Sequence, residues 1–219
     1  MPKIEVVQGD ITKLEVDAIV NAARPSLLGG GGVDGAIHRA AGPLLKEFCE
    51  MLPERRPGIR CFTGEAFPSA GFNLPAKYVF HTVGPVYDET LRIPEREYLP
   101  PETDKDALLT QCYVNCLKLA EEFDCRTVAF PAISCGVYGC PIEKGAEIAF
   151  KAFKSRDWAI DKIFFVLYTE VDFMVSLKVW ERSGAGGFDF ASLGSDAGPA
   201  KGTAVLSDGE ELDLGDFEW

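Results

Sequence analysis

Four consecutive glycines, Gly29–Gly32, stand between a short apolar run at Ala18–Val20 and a helical pattern that starts at Val33 or Asp34. Glycine loses more conformational freedom on folding than any other residue, so four in a row at a helix entrance are costly. In return the backbone can take φ > 0 and approach a ligand closely. At a helix N-terminus such backbone offers N–H groups and the positive end of the helix dipole, a combination that binds phosphate. A flexible surface loop would show the same run, so the glycines alone do not decide. The run is not GxGxxG and no acid stands at the required distance on a following strand end, which argues against a Rossmann dinucleotide site.

Apolar spacing predicts strands at Ile4–Val7, Ala18–Val20, Ala66–Ala70, Lys77–Val83, Thr127–Phe130 and Ile163–Tyr168. It predicts helices from Val33 or Asp34 past His38, and over Leu44–Met51, Asp106–Phe123, Ile142–Phe153 and Val171–Arg182, with Gly42 and Pro43 separating the first two. Strands alternating with helices imply an α/β fold with a mostly parallel central sheet. Such sheets bind ligands beyond the carboxyl ends of their strands, where two glycine-rich loops fall, Asn21–Gly32 and Pro131–Gly139. Residues 86–104, rich in Pro and Glu and without a period, read as a long surface loop. The domain is expected to span residues 1–182, followed by an acidic, Gly-rich tail, 183–219, that is disordered or loosely docked.

The net charge is −12, and residues 183–219 carry eight acids and one lysine of it. A surface of that sign repels phosphate backbones, so nucleic acid is not an expected partner. An anionic ligand remains possible where backbone N–H groups supply local positive potential. Seven cysteines, an odd number with no CxxC pair, argue against a disulfide framework or a structural zinc site. Cys112 and Cys116, four apart on a helix, could share a ligand, though free cysteine is usually a small buried hydrophobe. The expected compartment is reducing and intracellular, cytoplasmic or nuclear. No run of 18 apolar residues is present to span a membrane, and MPKIEVVQGD lacks the apolar stretch of a secretory signal. A monomer is expected.

Asp34 and His38 share one helix face at i,i+4. Asp34 in the first turn suits the helix dipole, a structural role. Beside bound phosphates it would instead orient or deprotonate a water. His38 would hold Asp34 or the loop in place. In the second loop, Ser134, Gly136 and Gly139 are small enough to let backbone N–H groups face an anion, and Tyr138 would pack on a sugar or in the core. Cys135 invites a nucleophile role, but neither His38 nor His81 is placed by the sequence to activate it.

Six ordered segments carry a resemblance: GDIT (Gly9–Thr12), VDAIVNAA (Val16–Ala23), LLGGGGVDGAIHRAAG (Leu27–Gly42), TGEA (Thr63–Ala66), HTVGP (His81–Pro85) and FPAISCGVYGCP (Phe130–Pro141). Over residues 3–182 the chain resembles MacroD-type macrodomains. The resemblance implies a three-layer α/β/α fold with a mixed, mostly parallel sheet and a cleft for ADP-ribose. It implies that Asp10 accepts from the adenine amine with Ile11 beside it, that Phe173, or Tyr168, stacks on adenine, and that Asn21 contacts the distal ribose, with Ala22 also among the ligand-binding residues. Gly30, Gly31, Gly32 and Val33, with Ser134, Cys135, Gly136, Val137 and Tyr138, would enclose the diphosphate. Asp34 would support hydrolysis, with His38, Asn21 and Arg24 around it, and neither metal nor cofactor is implied.

One departure bears on turnover: the family usually reads NAAN, and this chain reads NAAR, with Arg24 in place of the second asparagine. The expected activity is hydrolysis of esters on the distal ribose, of mono-ADP-ribosylated acidic side chains or O-acetyl-ADP-ribose. ADP-ribose and ADP-ribosylated proteins would be the partners. A non-catalytic reader of ADP-ribose is the alternative, and a phosphatase acting on ADP-ribose 1″-phosphate a third.

Overall fold

Inward and outward residues alternate along each central strand, and that period of two sorts the core onto two faces of one sheet. The computed structural model describes residues 1–91 and 103–184 and the backbone of 203–205 and 211–213. The strands are β1 (Lys3–Gln8), β2 (Ala18–Ala22), β3 (Ala66–Ala70), β4 (Tyr78–Thr82), β5 (Thr127–Pro131) and β6 (Lys162–Leu167). The helices are α1 (Gly32–Ala41), α2 (Pro43–Glu50), α3 (Lys105–Glu122), α4 (Ile142–Phe153) and α5 (Glu170–Arg182), with a 3₁₀ turn at Ile11–Lys13. Sheet order is β1-β6-β5-β2-β4-β3; every pair is parallel except β3 with β4.

Ala18, Val20, Phe80, Val128, Phe130, Ile163 and Phe165 point to one face, where α3, α4 and α5 cover them. Ile19, Val79, Ala129, Phe164 and Val166 point to the other, where Ile37 and Ala41 of α1 and Leu45 and Cys49 of α2 close the layer. The result is the expected three-layer α/β/α arrangement. Cys112 and Cys116 belong to the first core, and all seven cysteines are unpaired.

Strand β2 hands the chain to one side of the sheet, through α1 and α2, while its neighbour β5 hands it to the other, through α4 and β6. A crevice opens at the carboxyl ends of two strands whose connections diverge in this way. Both glycine-rich loops leave from that point.

Element ends differ from expectation by one or two residues, and one difference matters. Strand β2 runs on through Asn21 and Ala22, which pair with His81 and Thr82 of β4. A polar residue inside a central strand reads as an end, but here the Asn21 side chain is fully buried and hydrogen-bonded. In the loop after β4, the N–H groups of Tyr87 and Asp88 both donate to the Tyr138 carbonyl, at 2.7 and 3.1 Å. This straps the chain onto the second glycine-rich loop; residues 92–102 of the expected long loop lie outside the described residues. Within the expected tail, β7 (Thr203–Val205) and β8 (Glu211–Asp213) pair antiparallel; its other residues from 185 on lie outside the described residues.

The second loop is also held from below, where the Tyr113 hydroxyl accepts from the Ile133 N–H at 3.1 Å. Tyr113 is fully buried, so Tyr113→Phe leaves an unsatisfied donor in the core. It should cost about 1–3 kcal/mol. Thermal denaturation should register this as a drop of several degrees; an unchanged melting temperature would mean that water replaces the hydroxyl.

Candidate functional site

Between the two loops lies a cleft of about 270 Å³, lined by Ala22–Arg24 after β2, Gly31–Asp34 at the start of α1, Gly84 after β4, and Ala132 with Ser134 and Gly136–Tyr138 after β5. Ten of the residues singled out from the sequence meet here: Ala22, Arg24, Gly31, Gly32, Val33, Asp34, Ser134, Gly136, Val137 and Tyr138.

Helix α1 begins with Gly31 at its N-cap and no side chain capping it. Its first N–H groups therefore lack intrahelical partners and face the end where an anion would be favoured. The loop before it depends on missing Cβ atoms. Gly29 has φ 85° and lies under the His38 ring, and a Cβ on Gly35 would stand 2.5 Å from the Gly30 carbonyl oxygen. In the opposite loop, turns are closed by the N–H groups of Cys135, Gly139 and Cys140, none of which spends the amides of Gly136 or Val137. Ser134 sits at φ 66°. A non-glycine residue held there costs about 1–3 kcal/mol and persists only where its surroundings enforce it. Gly84 leaves the room for it: a Cβ there would lie 2.1 Å from Ser134 Oγ.

Behind Asp34, which lines the cleft, runs a buried polar row. Asn21 Nδ2 donates to Asp34 Oδ1 at 2.8 Å and approaches His81 Nδ1 at 3.1 Å, and His81 Nε2 meets Ser69 Oγ at 2.9 Å. His38 Nε2 stands 3.5 Å from Asp34 Oδ1. Asp34 Oδ2 and Asn21 Oδ1 are buried and have no hydrogen-bond partner. Burial pushes the Asp34 carboxyl above its ordinary value, against the opposing pull of the Asn21 hydrogen bond, His38 and the Arg24 backbone and guanidinium. Burial likewise pushes His38 down, and drives His81 to about 3, so that His81 is neutral throughout the physiological range.

Arg24 is exposed overall, but its stem crosses Gly30: the Arg24 Cδ and Asp34 Oδ2 would lie 2.9 and 3.1 Å from a Cβ placed there. The residues expected at an adenine end sit one and two strands away. Asp10 follows β1, where its Oδ1 accepts from the N–H and hydroxyl of Thr12 at 2.9 and 2.8 Å, and Ile11 beside it is buried. Phe173 is half-buried in the first turn of α5, while Tyr168 is 71% exposed. A hydrogen bond with Cys140, and then burial, raise the Cys135 thiol above its ordinary value. The sequence reasoning missed Ala23, Gly84 and Ala132 in the lining, and gave no role to His81, weighed only as an activator of Cys135, or to Ser69. For the last two a signal existed, because they are polar residues at inward positions of otherwise apolar strands.

A cleft over parallel strand ends, flanked by a helix N-terminus and a glycine-rich loop, defines a small-ligand module for anionic groups. The Macro domain family model matches residues 20–149. A macro domain-containing protein of Xanthomonas campestris is 56% identical over 156 residues, covering 71% of this chain and 80% of its own. The O-acetyl-ADP-ribose deacetylase of Escherichia fergusonii is 50% identical, covering 77% of this chain and 89% of its own. Human ADP-ribose glycohydrolase MACROD2 is 47% identical over 80% of this chain, which spans 39% of that longer protein. Among solved structures, an Oceanobacillus iheyensis macrodomain with ADP superposes with TM-score 0.71 at 39% identity, covering 82% of this chain and 90% of that one. The chain belongs to the macro domain family. No helix among the described residues is long and apolar enough to cross a membrane, and no group of three or more His, Cys, Asp or Glu among them is arranged to hold a metal ion.

The buried carboxyl makes a testable demand on stability. Because its pKa is raised, the folded state holds the Asp34 proton more tightly than the unfolded chain does. That stabilisation is complete below the unfolded value and is lost as pH rises through the folded one. Asp34→Asn keeps an acceptor for Asn21 and has no charge to bury. Melting curves from about pH 4 to pH 8 should show wild type losing ground to Asp34→Asn as pH rises; a gap that stays constant would mean Asp34 does not titrate in this way.

Proposed function

We propose that the cleft binds ADP-ribose and that the protein hydrolyses an ester formed on its distal ribose. The acyl group would come from a mono-ADP-ribosylated acidic side chain or from O-acetyl-ADP-ribose. The observation that carries this reading is Asp34 Oδ2, a buried acceptor without a partner on a residue that lines the cleft. The naming of a relative at 50% identity as O-acetyl-ADP-ribose deacetylase supports it, as does a Trypanosoma brucei macrodomain solved in complex with ADP-ribose, 36% identical with TM-score 0.64.

In this reading Gly30–Val33 and Ser134–Tyr138 enclose the diphosphate, Asp10, Ile11 and Phe173 receive adenine, and Asn21 and Ala22 meet the distal ribose. A water against Asp34 Oδ2 adds to the ester carbonyl and gives up a proton to the carboxylate. The ribose oxygen then leaves as a hydroxyl, taking a proton back. Fixed N–H dipoles in a site closed to bulk water stabilise the developing charge. ADP-ribosylated proteins would be the partners.

Calorimetry should show 1:1 binding of ADP-ribose at roughly micromolar Kd, about −8 kcal/mol. Asp34→Ala should preserve that binding while lowering release of acetate from O-acetyl-ADP-ribose by about 10²–10⁴-fold. A wild type that gives no heat with ADP-ribose would overturn the reading.

A specific observation also favours a non-catalytic reader: the Arg24 stem lies beside Asp34, and its charge works against that carboxyl's basicity. A cation there attracts a diphosphate while making the carboxylate a poorer base. Arg24→Asn should therefore raise turnover, and should weaken ADP-ribose binding more at low salt than at high salt. Unchanged or lower turnover would show a site adapted to arginine.

A further inference from the structure

The sheet register sets three polar side chains in one row on the α1 face: Asn21 on β2, His81 opposite it on β4, and Ser69 diagonal to His81 on β3. Their exposures are 0%, 0% and 5%. The proposed chemistry uses Asn21 and leaves His81 and Ser69 without a task. Buried polar groups have to be paired, and with Asp34 ionised the pairing has one consistent solution. Ser69 Oγ has the Ala70 and Val79 carbonyls within reach at 3.2 and 3.5 Å, and a hydroxyl that donates to either accepts toward His81. The imidazole proton is therefore on Nε2, and Nδ1 is an acceptor. It takes one N–H of the Asn21 amide at 3.1 Å, and the other N–H goes to Asp34 Oδ1 at 2.8 Å. The Asn21 carbonyl oxygen is left buried without a partner.

We infer that His81, anchored by Ser69, is a positioning residue that fixes the Asn21 carboxamide with its N–H groups toward Asp34 and its carbonyl free for a ligand hydroxyl. The opposite tautomer, with the proton on Nδ1, demands the reversed amide. The Asn21 carbonyl would then face Asp34 Oδ1 at hydrogen-bond distance, which is acceptable only if Asp34 is protonated and donates. The anchor on β3 thus selects the carboxylate form of a group on α1. The other charged or titratable groups around Asp34 are His38 on its own helix, Arg24 before it and Cys49 on α2, with Lys46 acting on His38. Replacing Ser69 leaves all of them in place. The inference deepens the proposed function and rests on it for its kinetic readout alone.

The test compares full-length wild type, Ser69→Ala, which removes the anchor, and Ser69→Thr, which keeps a hydroxyl. Long-range ¹H–¹⁵N correlation reads the tautomers of the two histidines, with His38→Gln to assign them. In wild type His81 should carry its proton on Nε2 alone, and Ser69→Ala should mix tautomers. With O-acetyl-ADP-ribose, Ser69→Ala should lower kcat about tenfold, the worth of one hydrogen bond to a charged group, and move the acid limb of its pH profile upward. Ser69→Thr should restore both. A wild-type His81 protonated on Nδ1 would overturn the inference. So would a Ser69→Ala protein that melts earlier but keeps the wild-type tautomer and acid limb. A wild type that binds ADP-ribose without turnover would sink the hydrolase reading, and the tautomer measurement would still decide this one.

Discussion

The hydrogen bond from Asn21 Nδ2 to Asp34 Oδ1 ties the end of β2 to the start of α1 in an interior where Asn21 is 0% and Asp34 2% exposed. A carboxyl group there is tolerable only with partners. To meet Asn21, α1 has to start within ten residues of the strand, and its entrance has to turn back under its own first turn. That requirement explains the glycines better than flexibility does. Gly30 leaves space for the Arg24 stem and Asp34 Oδ2, and Gly35 allows the Gly30 carbonyl to lie against the helix. Leu27, fully buried with φ 59°, pins the middle of the loop into the core. A loop held at that many points has the direction of its amides set by the fold itself.

The opposite wall is built differently. Its loop is held by contacts from outside: the Tyr113 hydroxyl beneath Ile133, the Tyr87 and Asp88 amides on the Tyr138 carbonyl, and the absent Cβ of Gly84 against Ser134. One wall is fixed by its own helix and the other by neighbouring elements. The width of the cleft therefore depends on the β4–α3 region as well as on the two loops.

The layers were legible in the sequence because α3 and α4 show helical spacing and the strands show near-continuous apolar runs. Their boundaries, set by hydrogen bonds, shifted by a residue or two. In the site, what was legible was the glycine pattern and the Asp34–His38 pair, whose spacing already puts both on one face. What escaped was the support. His81 and Ser69 stand out in the sequence only as polar residues at inward positions of apolar strands, and that they meet is not readable until the register of β2, β4 and β3 is known. With the register, their parity matches Ile19 and Val79, which point toward α1. The strained Ser134 was equally hidden, since no feature of PAISCGVYG marks a serine for φ 66°.

A protein of net charge −12 is at first sight a poor host for a diphosphate. Charge acts locally, because salt screens exposed groups beyond about 8 Å at physiological ionic strength. Among the described residues lining the cleft, the charged ones are Asp34 and Arg24. Burial favours the protonated form of Asp34, which lowers its repulsion of an anion, and the amides at the α1 N-terminus add positive potential without a formal charge. Arg24 strengthens the same attraction but holds Asp34 toward its carboxylate, and a carboxylate stabilised by a cation accepts a proton less readily. Binding and proposed hydrolysis therefore pull in opposite directions at position 24. In the proposed function a neutral residue there would give up some affinity for a better base, whereas arginine would hold the anion more firmly and leave it to Asn21, positioned by His81 and Ser69 as inferred above, to keep Asp34 aligned for the water.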